Sequence, residues 1–215
     1  KESKHKGKRN AANRRDEPVI SVFYTNCRSL RQKLDELKVF LAGGNKPTIV
    51  CLTETWTNDS MKDHELKLDG YTLKVRDDRT DTGKGRGGGI LVYARDGLEA
   101  DEDTSFGSVS FVQAVCLKIS TGNGSYIKLI TVYRSPNSTV NNNFELNNIV
   151  ARSDKNTVLV GDFNYGDIDW ENHSATDMQS RLFLDACDDG FLNQHVLFST
   201  REDRTLDLVL SVDPE

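Results

Sequence analysis

The foldable part of the chain opens with a strand–helix–strand pattern, the feature that most restricts its fold. Val19–Asn26 (VISVFYTN) is mostly apolar and predicts a buried strand. A leucine every three or four residues from Leu30 to Leu41 then marks one helical face, which Ser29 can cap and Gly43 can end. Thr48–Thr53 (TIVCLT) predicts a second buried strand. Such a unit is typical of an α/β sheet.

The rest of the chain mixes strand and helix patterns. Four strand-like runs, separated by turns rich in Gly and Asp, predict an antiparallel meander: Tyr71–Val75, Gly89–Ala94, Val109–Ile119 and Tyr126–Tyr133. Two helices and two further strands are predicted after them, at Phe144–Arg152, Met178–Asp189, Thr157–Val160 and Leu206–Leu210. In the second helix the residues expected to face inward are Leu182, Phe183 and Ala186. Mixed strand directions with few helices predict an α/β sandwich, in which two sheets pack face to face with helices outside.

Cysteine spacing and hydropathy exclude several classes of protein. The cysteines show no CxxC pair and no zinc-type cluster, and they predict buried free thiols in a reducing compartment: Cys27, Cys51, Cys116 and Cys187. No run approaches the roughly 20 apolar residues that span a bilayer, so a membrane protein is not expected.

The charge of the chain is distributed unevenly. Residues 1–15 carry seven Lys or Arg and one Glu, a net charge of +6. Because the whole chain has a net charge of −5, residues 16–215 carry about −11. We expect residues 1–17 to be a basic flexible tail and residues 18–215 to be one domain. The tail is either an electrostatic arm that binds phosphate or serves as a nuclear signal, or a disordered linker. The first of these interpretations, in which the tail serves as a nuclear signal, predicts a nuclear location.

Polar residues follow the apolar runs in a chemically coherent way. Beyond the strands lie Glu54 and Asp162, hard oxygen ligands suited to Mg²⁺, and Asn26 and Asn164, which can bond to phosphate oxygens or orient a water. Tyr133 can donate to a developing oxyanion. Ligand sites of open α/β sheets lie beyond the carboxyl ends of strands, so these residues could meet in one pocket. Taken singly, each is more often an ordinary loop residue, but the set favours metal-assisted phosphoester hydrolysis over acyl transfer.

Five short motifs carry a resemblance to a known family. They are YTNCRSL at 24–30, LTETW at 52–56, VYRSP at 132–136, GDFN at 161–164 with DIDW at 167–170, and TLDLVL at 205–210. In order and spacing they resemble the endonuclease/exonuclease/phosphatase superfamily, and particularly the endonuclease domains of LINE-type (non-LTR) retrotransposons. The match extends from Val19 to Leu210 and implies the two-sheet sandwich of that superfamily.

The resemblance also implies roles for the site residues. Glu54 would bind the catalytic Mg²⁺, for which Mn²⁺ is an alternative, with Asn26 beside it. Asp162 would orient or deprotonate the attacking water, Asn164 would hold the scissile phosphate, and Tyr133 would hydrogen-bond that phosphate or the leaving oxygen. The implied reaction nicks target DNA and leaves a 3′-hydroxyl that primes reverse transcription, with a reverse transcriptase domain in the same polyprotein.

The family places a Ser-Asp-His motif on a strand after the one that holds Asp207, and Asp207 would support its histidine. No such motif follows Asp207 here before Glu215, and the four histidines, His5, His64, His173 and His195, lie elsewhere. We therefore expect a C-terminally truncated sandwich without its final strand, whose open sheet edge could pair with another chain. Loss of a general acid–base group typically costs roughly 10²–10⁴-fold, so we expect hydrolysis by this chain alone to be absent or greatly weakened.

Contacts with nucleic acid and the choice of substrate stay open at this point. Arg134 is either a phosphate contact or part of an ion pair within the fold. Lys84 and Arg86, in the glycine-rich run 83–89, either contact DNA phosphates or belong to an ordinary mobile turn. Within the same fold, the alternatives are an abasic-site nuclease, a deadenylase or an inositol-phosphate phosphatase. A domesticated copy that serves as a binding or assembly module is the non-enzymatic alternative.

Overall fold

Two sheets packed face to face, with helices on their outer sides, form the described part of the molecule. The computed structural model describes residues 19–44, 46–78, 87–104, 113–122 and 124–212. The predicted α/β sandwich is confirmed. No helix in these ranges is long and apolar enough to cross a membrane. The predicted basic tail, residues 1–17, lies outside the described residues.

The first sheet has four strands in the order β1-β2-β4-β3. Their bounds are Val22–Asn26 for β1, Ile49–Thr53 for β2, Tyr71–Asp77 for β3 and Ile90–Arg95 for β4. Strands β1 and β2 run parallel and are joined through helix α1, Leu30–Ala42, whereas β4 is antiparallel to both of its neighbours. The predicted strand–helix–strand unit is thus confirmed. A 3₁₀ turn, Asp63–Leu66, lies between β2 and β3.

Helix α1 packs its leucine face on this sheet, with Leu30, Leu37 and Leu41 buried. Gly43 follows the helix as predicted. Ser29 occupies the N-cap position of α1 as predicted, but its side chain makes no capping hydrogen bond. Ser29 has a left-handed backbone, φ 86°, and its N–H donates instead to the carbonyl of Glu54 at 2.9 Å.

The second sheet has six strands in the order β11-β12-β8-β7-β6-β5. Their bounds are Ala100–Glu102 for β5, Gln113–Gly122 for β6, Ser125–Tyr133 for β7, Thr157–Asp162 for β8, Leu192–Gln194 for β11 and Asp207–Val212 for β12. Only β7 and β8 run parallel among these described strands, and the other pairs are antiparallel. The predicted meander is therefore divided, with β3 and β4 in the first sheet and β5 to β7 in the second. A short pair, β9 (Ile168–Asp169) and β10 (Ser174–Ala175), stands apart.

Two helices pack with each other beside the second sheet: α2, Val140–Ala151, and α3, Met178–Asp189. Helix α2 begins earlier than predicted because the Thr139 side chain caps it, accepting from the N–H of Asn142. In α3 the bounds match the prediction, and Phe183 and Ala186 are buried. Leu182 was expected to face inward but is 40% exposed.

The core between the sheets consists of aliphatic side chains and a buried thiol, among them Ile49, Cys51, Val92, Leu117, Leu129 and Val160. All four cysteines are buried and free, as predicted. At the junction of β7 and β8, Gly161 lies directly against the backbone of Val132, where a Cβ would overlap the Val132 carbonyl. The sheet can close here only because residue 161 has no side chain.

The sheets are unequal in width, and this leaves a cleft along one side. Strand β1 packs on β8 and β2 packs on β7, so β12 and β11 extend beyond β1. The outer edge of β1 has no partner strand in the described ranges. A cavity of about 840 Å³ lies there, with apolar walls from both sheets and polar side chains at one end. Three of the residues singled out from the sequence lie at that polar end: Asn26, Asp162 and Asp207.

Candidate active site

Strand register brings three of the predicted site residues into one row. Tyr133 at the end of β7 pairs with Asp162 at the end of β8, and Asp162 pairs with Asp207 at the start of β12. In the facing sheet, Asn26 at the end of β1 pairs with Thr53, the residue before Glu54. Segments more than 130 residues apart in the chain therefore meet at one rim of the sandwich.

Three side-chain hydrogen bonds connect the two sheets at this rim. The amide of Asn26 donates to Asp162 Oδ2 at 2.6 Å, and the Tyr133 hydroxyl donates to Glu54 Oε1 at 2.5 Å. The Tyr24 hydroxyl donates to Asp207 Oδ1 at 2.7 Å and lies 3.0 Å from Thr53 Oγ1. Each bond pairs one residue from the first sheet with one from the second, so the site is formed by the packing of the sheets.

Glu54 stands on a strained loop. Its φ is +50° and that of Trp56 is +57°, values that non-glycine residues rarely adopt and that cost about 1–3 kcal/mol each. The N–H groups of Thr55 and Trp56 donate to the carbonyls of the Gly88–Gly89 segment and hold the loop in this form. The Trp56 indole donates to Glu54 Oε2 at 3.3 Å. Hydrogen bonds to both of its oxygens thus fix the Glu54 carboxylate, and the Gly88–Gly89 segment fixes the loop that carries it.

The glycine-rich segment before β4 allows this close approach. A Cβ on Gly89, whose φ is +92°, would collide with Thr55 Oγ1, and one on Gly87 would lie 3.7 Å from the Tyr133 hydroxyl. The predicted nucleic-acid contacts in the preceding residues, Lys84 and Arg86, lie outside the described residues.

Asn164 is placed by a second strained loop, with φ +52°. Its amide donates to the carbonyl of Arg134 at 2.8 Å, and Arg134 Nη1 donates back to the carbonyl of Asn164 at 3.0 Å. The Arg134 guanidinium also donates to Asn143 Oδ1 at 2.8 Å and stacks on the Tyr165 ring, 3.9 Å from its centroid. Arg134 is only 7% exposed. It therefore holds the Asn164 loop from inside the protein, which favours a role within the fold over the alternative of a phosphate contact.

The carboxylates at the rim influence one another. Burial, together with the charge of Asp207 and to a smaller extent that of Glu54, raises the pKa of Asp162 to about 7, while hydrogen bonds from Asn26 and Asn164 oppose the shift. Burial and the Glu54 carboxylate also raise the pKa of Tyr133. The Asp162 and Glu54 carboxylates, which come from different sheets, are therefore close enough for their charges to interact.

Two oxygens at the rim lack any partner, and they allow the fit of a metal ion to be tested. Asn26 Oδ1 and Asp162 Oδ1 are buried and accept no hydrogen bond. No three carboxylate, thiolate or imidazole side chains in the described ranges lie close enough to hold a metal by themselves. An amide oxygen would have to complete a site, and Asn26 is placed to do so. Unsatisfied hard oxygens beside Glu54 are a donor set that suits Mg²⁺ or Mn²⁺.

Sequence reasoning missed Tyr24. It lies two residues before Asn26 on β1, so both side chains project from the same face of the strand, and this alternation was the available signal. The described histidines lie away from the rim: His173 contacts Asp188 at 3.0 Å and His195 contacts Ser211 at 2.8 Å. His64 is in the 3₁₀ turn. No imidazole therefore belongs to the site in the part of the chain that the structure describes.

Comparison with known proteins agrees with this geometry. Residues 127–215 match the family model described as "Endonuclease-reverse transcriptase". No curated protein matches the sequence. The folded chain is similar to an AP endonuclease, LMAP, from Leishmania major, with a TM-score of 0.65 and 17% identity, covering 89% of this chain and 79% of that one.

Two further solved structures have the same fold. The endonuclease domain of TRAS1, a telomere-specific non-LTR retrotransposon, has a TM-score of 0.62 and 14% identity, covering 91% of this chain and 86% of that one. A 3′ phosphatase, NExo, from Neisseria bound to product DNA hairpin has a TM-score of 0.61 and 16% identity, covering 90% of this chain and 87% of that one. These matches confirm the two-sheet fold that the motifs implied.

Proposed function

We propose that this chain, which has the fold of the endonuclease/exonuclease/phosphatase superfamily, hydrolyses phosphodiester bonds of DNA with the help of Mg²⁺ or Mn²⁺. The observation that carries the proposal is the pair of buried, unpartnered oxygens, Asn26 Oδ1 and Asp162 Oδ1, beside the Glu54 carboxylate. Uncompensated buried acceptors are costly in a folded protein, and a bound cation is the partner that would satisfy them.

Glu54 and Asn26 would hold the ion. When bound, it supplies positive charge that polarises the phosphate and offsets the charge developing in the transition state. Asp162, held by the Asn26 amide, would orient a water and take its proton. Asn164 is fixed by its bonds with Arg134 and would bind a non-bridging phosphate oxygen. Tyr133 would donate a hydrogen bond to the phosphate or to the leaving oxygen.

DNA is the substrate that the comparisons support. The Neisseria 3′ phosphatase holds a product DNA hairpin, and the TRAS1 domain is named as an endonuclease of a non-LTR retrotransposon. We therefore propose a nick that leaves a 3′-hydroxyl, from which a reverse transcriptase domain of the same polyprotein would begin synthesis. The description of the matched family model, "Endonuclease-reverse transcriptase", supports this pairing. A nuclear location follows from that role and stays part of the proposal.

The rate should be low. No imidazole lies at the rim in the described residues, and Asp207 is bound by Tyr24 where the family resemblance implies a histidine. Loss of one general acid–base group typically reduces a rate by roughly 10²–10⁴-fold. The assay must therefore detect single events, and relaxation of supercoiled plasmid does so because one nick changes the mobility of the whole molecule.

The test is plasmid nicking at excess protein, with Mg²⁺, Mn²⁺ or EDTA. We expect slow nicking that needs the divalent ion and is lost in Glu54→Gln. Glu36→Gln, which removes an exposed carboxylate from α1, is the matched control and should nick like the parent chain. If the parent nicks no faster than Glu54→Gln, the proposal fails. Abasic duplex, 3′-phosphorylated DNA, poly(A) and inositol phosphates, offered in parallel, separate the other phosphoesterases of this fold.

A binding or assembly module is the second candidate, and the free outer edge of β1 favours it. Exposed strand edges pair readily with other chains, and the edge adjoins the apolar cleft between the sheets. Self-association through this edge predicts a concentration-dependent oligomer in analytical ultracentrifugation. Val22, exposed on β1, offers a site for Val22→Lys, which should give a monomer if the edge is the interface. An oligomer that binds DNA without nicking it would favour this candidate.

A further inference from the structure

We propose that Arg28 binds a phosphate of the nucleic-acid strand next to the site of cleavage. The inference rests on the proposed function, since it takes the ligand at this rim to be a phosphodiester. It assigns to Arg28 a phosphate contact, which the sequence analysis left open as one of two alternatives for Arg134.

The position of Arg28 is the first argument. It lines the same cavity as Asn26, Asp162 and Asp207, at the polar end of the cleft. The described lining of this cavity holds one other cation, Arg201, which comes from the loop between β11 and β12. The two arginines thus come from different sheets and share a cavity with the acidic rim.

The second argument is that the Arg28 guanidinium has no hydrogen-bond or ion-pair partner among the described residues. The side chain is exposed, and no hydrogen bond or ion pair of its guanidinium occurs within the described residues. Arg76, by contrast, is bound by Asp63 and Asp78, and Arg134 is buried among carbonyl oxygens. Arg28 therefore keeps its donors available beside a site whose other side chains are mainly acceptors.

The third argument is the backbone that carries it. Arg28 has φ +48° and Ser29 has φ +86°, two successive left-handed residues of which neither is glycine. Flanking hydrogen bonds tie this turn to the Glu54 loop, with the N–H of Cys27 donating to Thr53 at 2.8 Å and that of Ser29 to Glu54 at 2.9 Å. The Ser29 side chain makes no capping hydrogen bond to α1, and backbone hydrogen bonds hold the turn in this conformation. Strain that the surroundings maintain in this way is concentrated at functional sites.

Charge supplies the fourth argument. Three carboxylates at the rim would repel a phosphodiester, and residues 18–215, beyond the basic tail, carry a net charge of about −9. A cation beside the rim is needed to hold the strand, and guanidinium is suited to it because its planar donors match two phosphate oxygens at once. Arg28 is therefore the residue of this turn that would decide affinity, whereas Glu54 and Asp162 would decide the chemical step.

Fluorescence anisotropy with a short labelled DNA duplex, in the Glu54→Gln background to prevent cleavage, tests the inference across a salt series. We expect Arg28→Gln to weaken binding roughly tenfold and to lower the slope of log K against log salt by about 0.9, the value for one phosphate contact. Arg28→Lys should keep the slope and lose part of the affinity. The matched control is Arg31→Gln, an exposed arginine at the start of α1 that does not line the cavity, and it should change affinity less than twofold.

Arg28→Asn is a second charge-removing variant, because asparagine tolerates a left-handed backbone and should fold at least as well as the parent chain. Equal affinity and slope in Arg28→Asn and the parent would overturn the inference, and so would equal losses in Arg28→Gln and Arg31→Gln. Absence of any duplex binding by the parent would also overturn it. Binding that depends on Arg28 without any plasmid nicking would leave the inference standing while the proposed function fails.

Discussion

Tyr24 donates a 2.7 Å hydrogen bond to Asp207, and this bond links the first strand of one sheet to the last described strand of the other. The two residues are 183 positions apart in the chain. The Tyr24 hydroxyl also lies 3.0 Å from Thr53 Oγ1. Burial and the Asp207 charge raise the pKa of Tyr24 well above its usual value, so the phenol stays protonated and acts as a donor.

Removing this donor tests how much the link contributes. Tyr24→Phe keeps the ring but leaves Asp207 without its phenol donor, and we expect the free energy of unfolding to fall by about 1.5–3 kcal/mol, the range for hydrogen bonds to charged groups. Tyr71→Phe, which removes a 2.7 Å bond to the carbonyl of Pro47, is the neutral comparator and should cost about 1 kcal/mol. Urea denaturation of both variants gives the difference, and equal losses would contradict the special role of the Tyr24 bond.

Asp162 should make the stability of the metal-free protein depend on pH. Its pKa is raised to about 7 in the folded state, against roughly 3.9 in an unfolded chain. Between these values the folded state binds more protons, so stability falls as pH rises from about 4 to about 7, by up to roughly 4 kcal/mol. We expect Asp162→Asn to be more stable than the parent at pH 8 and nearly equal to it at pH 4, as measured by urea denaturation in EDTA.

A divalent ion should reduce the dependence of stability on pH that Asp162 causes. If Asn26 Oδ1 and Asp162 Oδ1 take part in binding Mg²⁺, the ion favours the ionised carboxylate and stabilises the parent at pH 8, but stabilises Asp162→Asn much less. The measurement is the midpoint of thermal unfolding with and without MgCl₂. The same shift in both proteins would place the ion elsewhere.

Arg134→Lys should be a damaging substitution although it keeps the charge. Lysine cannot reproduce the planar stack on Tyr165 together with donation to Asn143 and Asn164. We expect a loss of about 2–4 kcal/mol in the free energy of unfolding, because buried acceptors lose their donors. Arg152→Lys, at the end of α2, is the matched control and should be nearly neutral. A neutral Arg134→Lys variant would show that the guanidinium contacts are dispensable.

Gly161→Ala tests the close approach of β7 and β8. The added methyl group would overlap the backbone of Val132, and backbone atoms cannot move away without breaking the strand pairing. We expect a destabilisation of more than about 3 kcal/mol or loss of soluble protein. Gly43→Ala is the control, since its Cβ would lie 3.4 Å from the nearest atom. A folded Gly161→Ala variant of normal stability would contradict the geometry of the strand junction.

Local pattern was sufficient for most of the elements. The leucine repeat of α1 and the apolar runs of β2 and β8 fix both the type of element and the side that is buried. The ends of β1, β2 and β8 also indicated Asn26, Glu54 and Asp162 as candidate site residues, because ligand sites in such sheets follow the carboxyl ends of strands. These predictions depend on neighbours along the chain, which a sequence displays directly.

What the sequence did not disclose depends on contacts between distant segments. The division of the meander between two sheets follows from the position of β4 between β2 and β3, which no local pattern specifies. The Tyr24–Asp207 bond and the burial of Arg134 arise only when the sheets and the Asn164 loop are packed. Left-handed backbones at Arg28 and Glu54 were equally hidden, because neither residue type favours them.

Of the eight non-glycine residues with positive φ in the described ranges, five surround the site: Arg28, Ser29, Glu54, Trp56 and Asn164. A library of variants selected only for resistance to heat should therefore collect glycine at these five positions, and asparagine at the four that do not already hold it. Each such replacement relaxes a backbone that the native residue holds under tension, and each discards a side chain that the rim uses. Such variants would thus gain thermal stability and lose nuclease activity. The positions that selection for heat resistance changes would therefore identify the catalytic surface without any assay of cleavage.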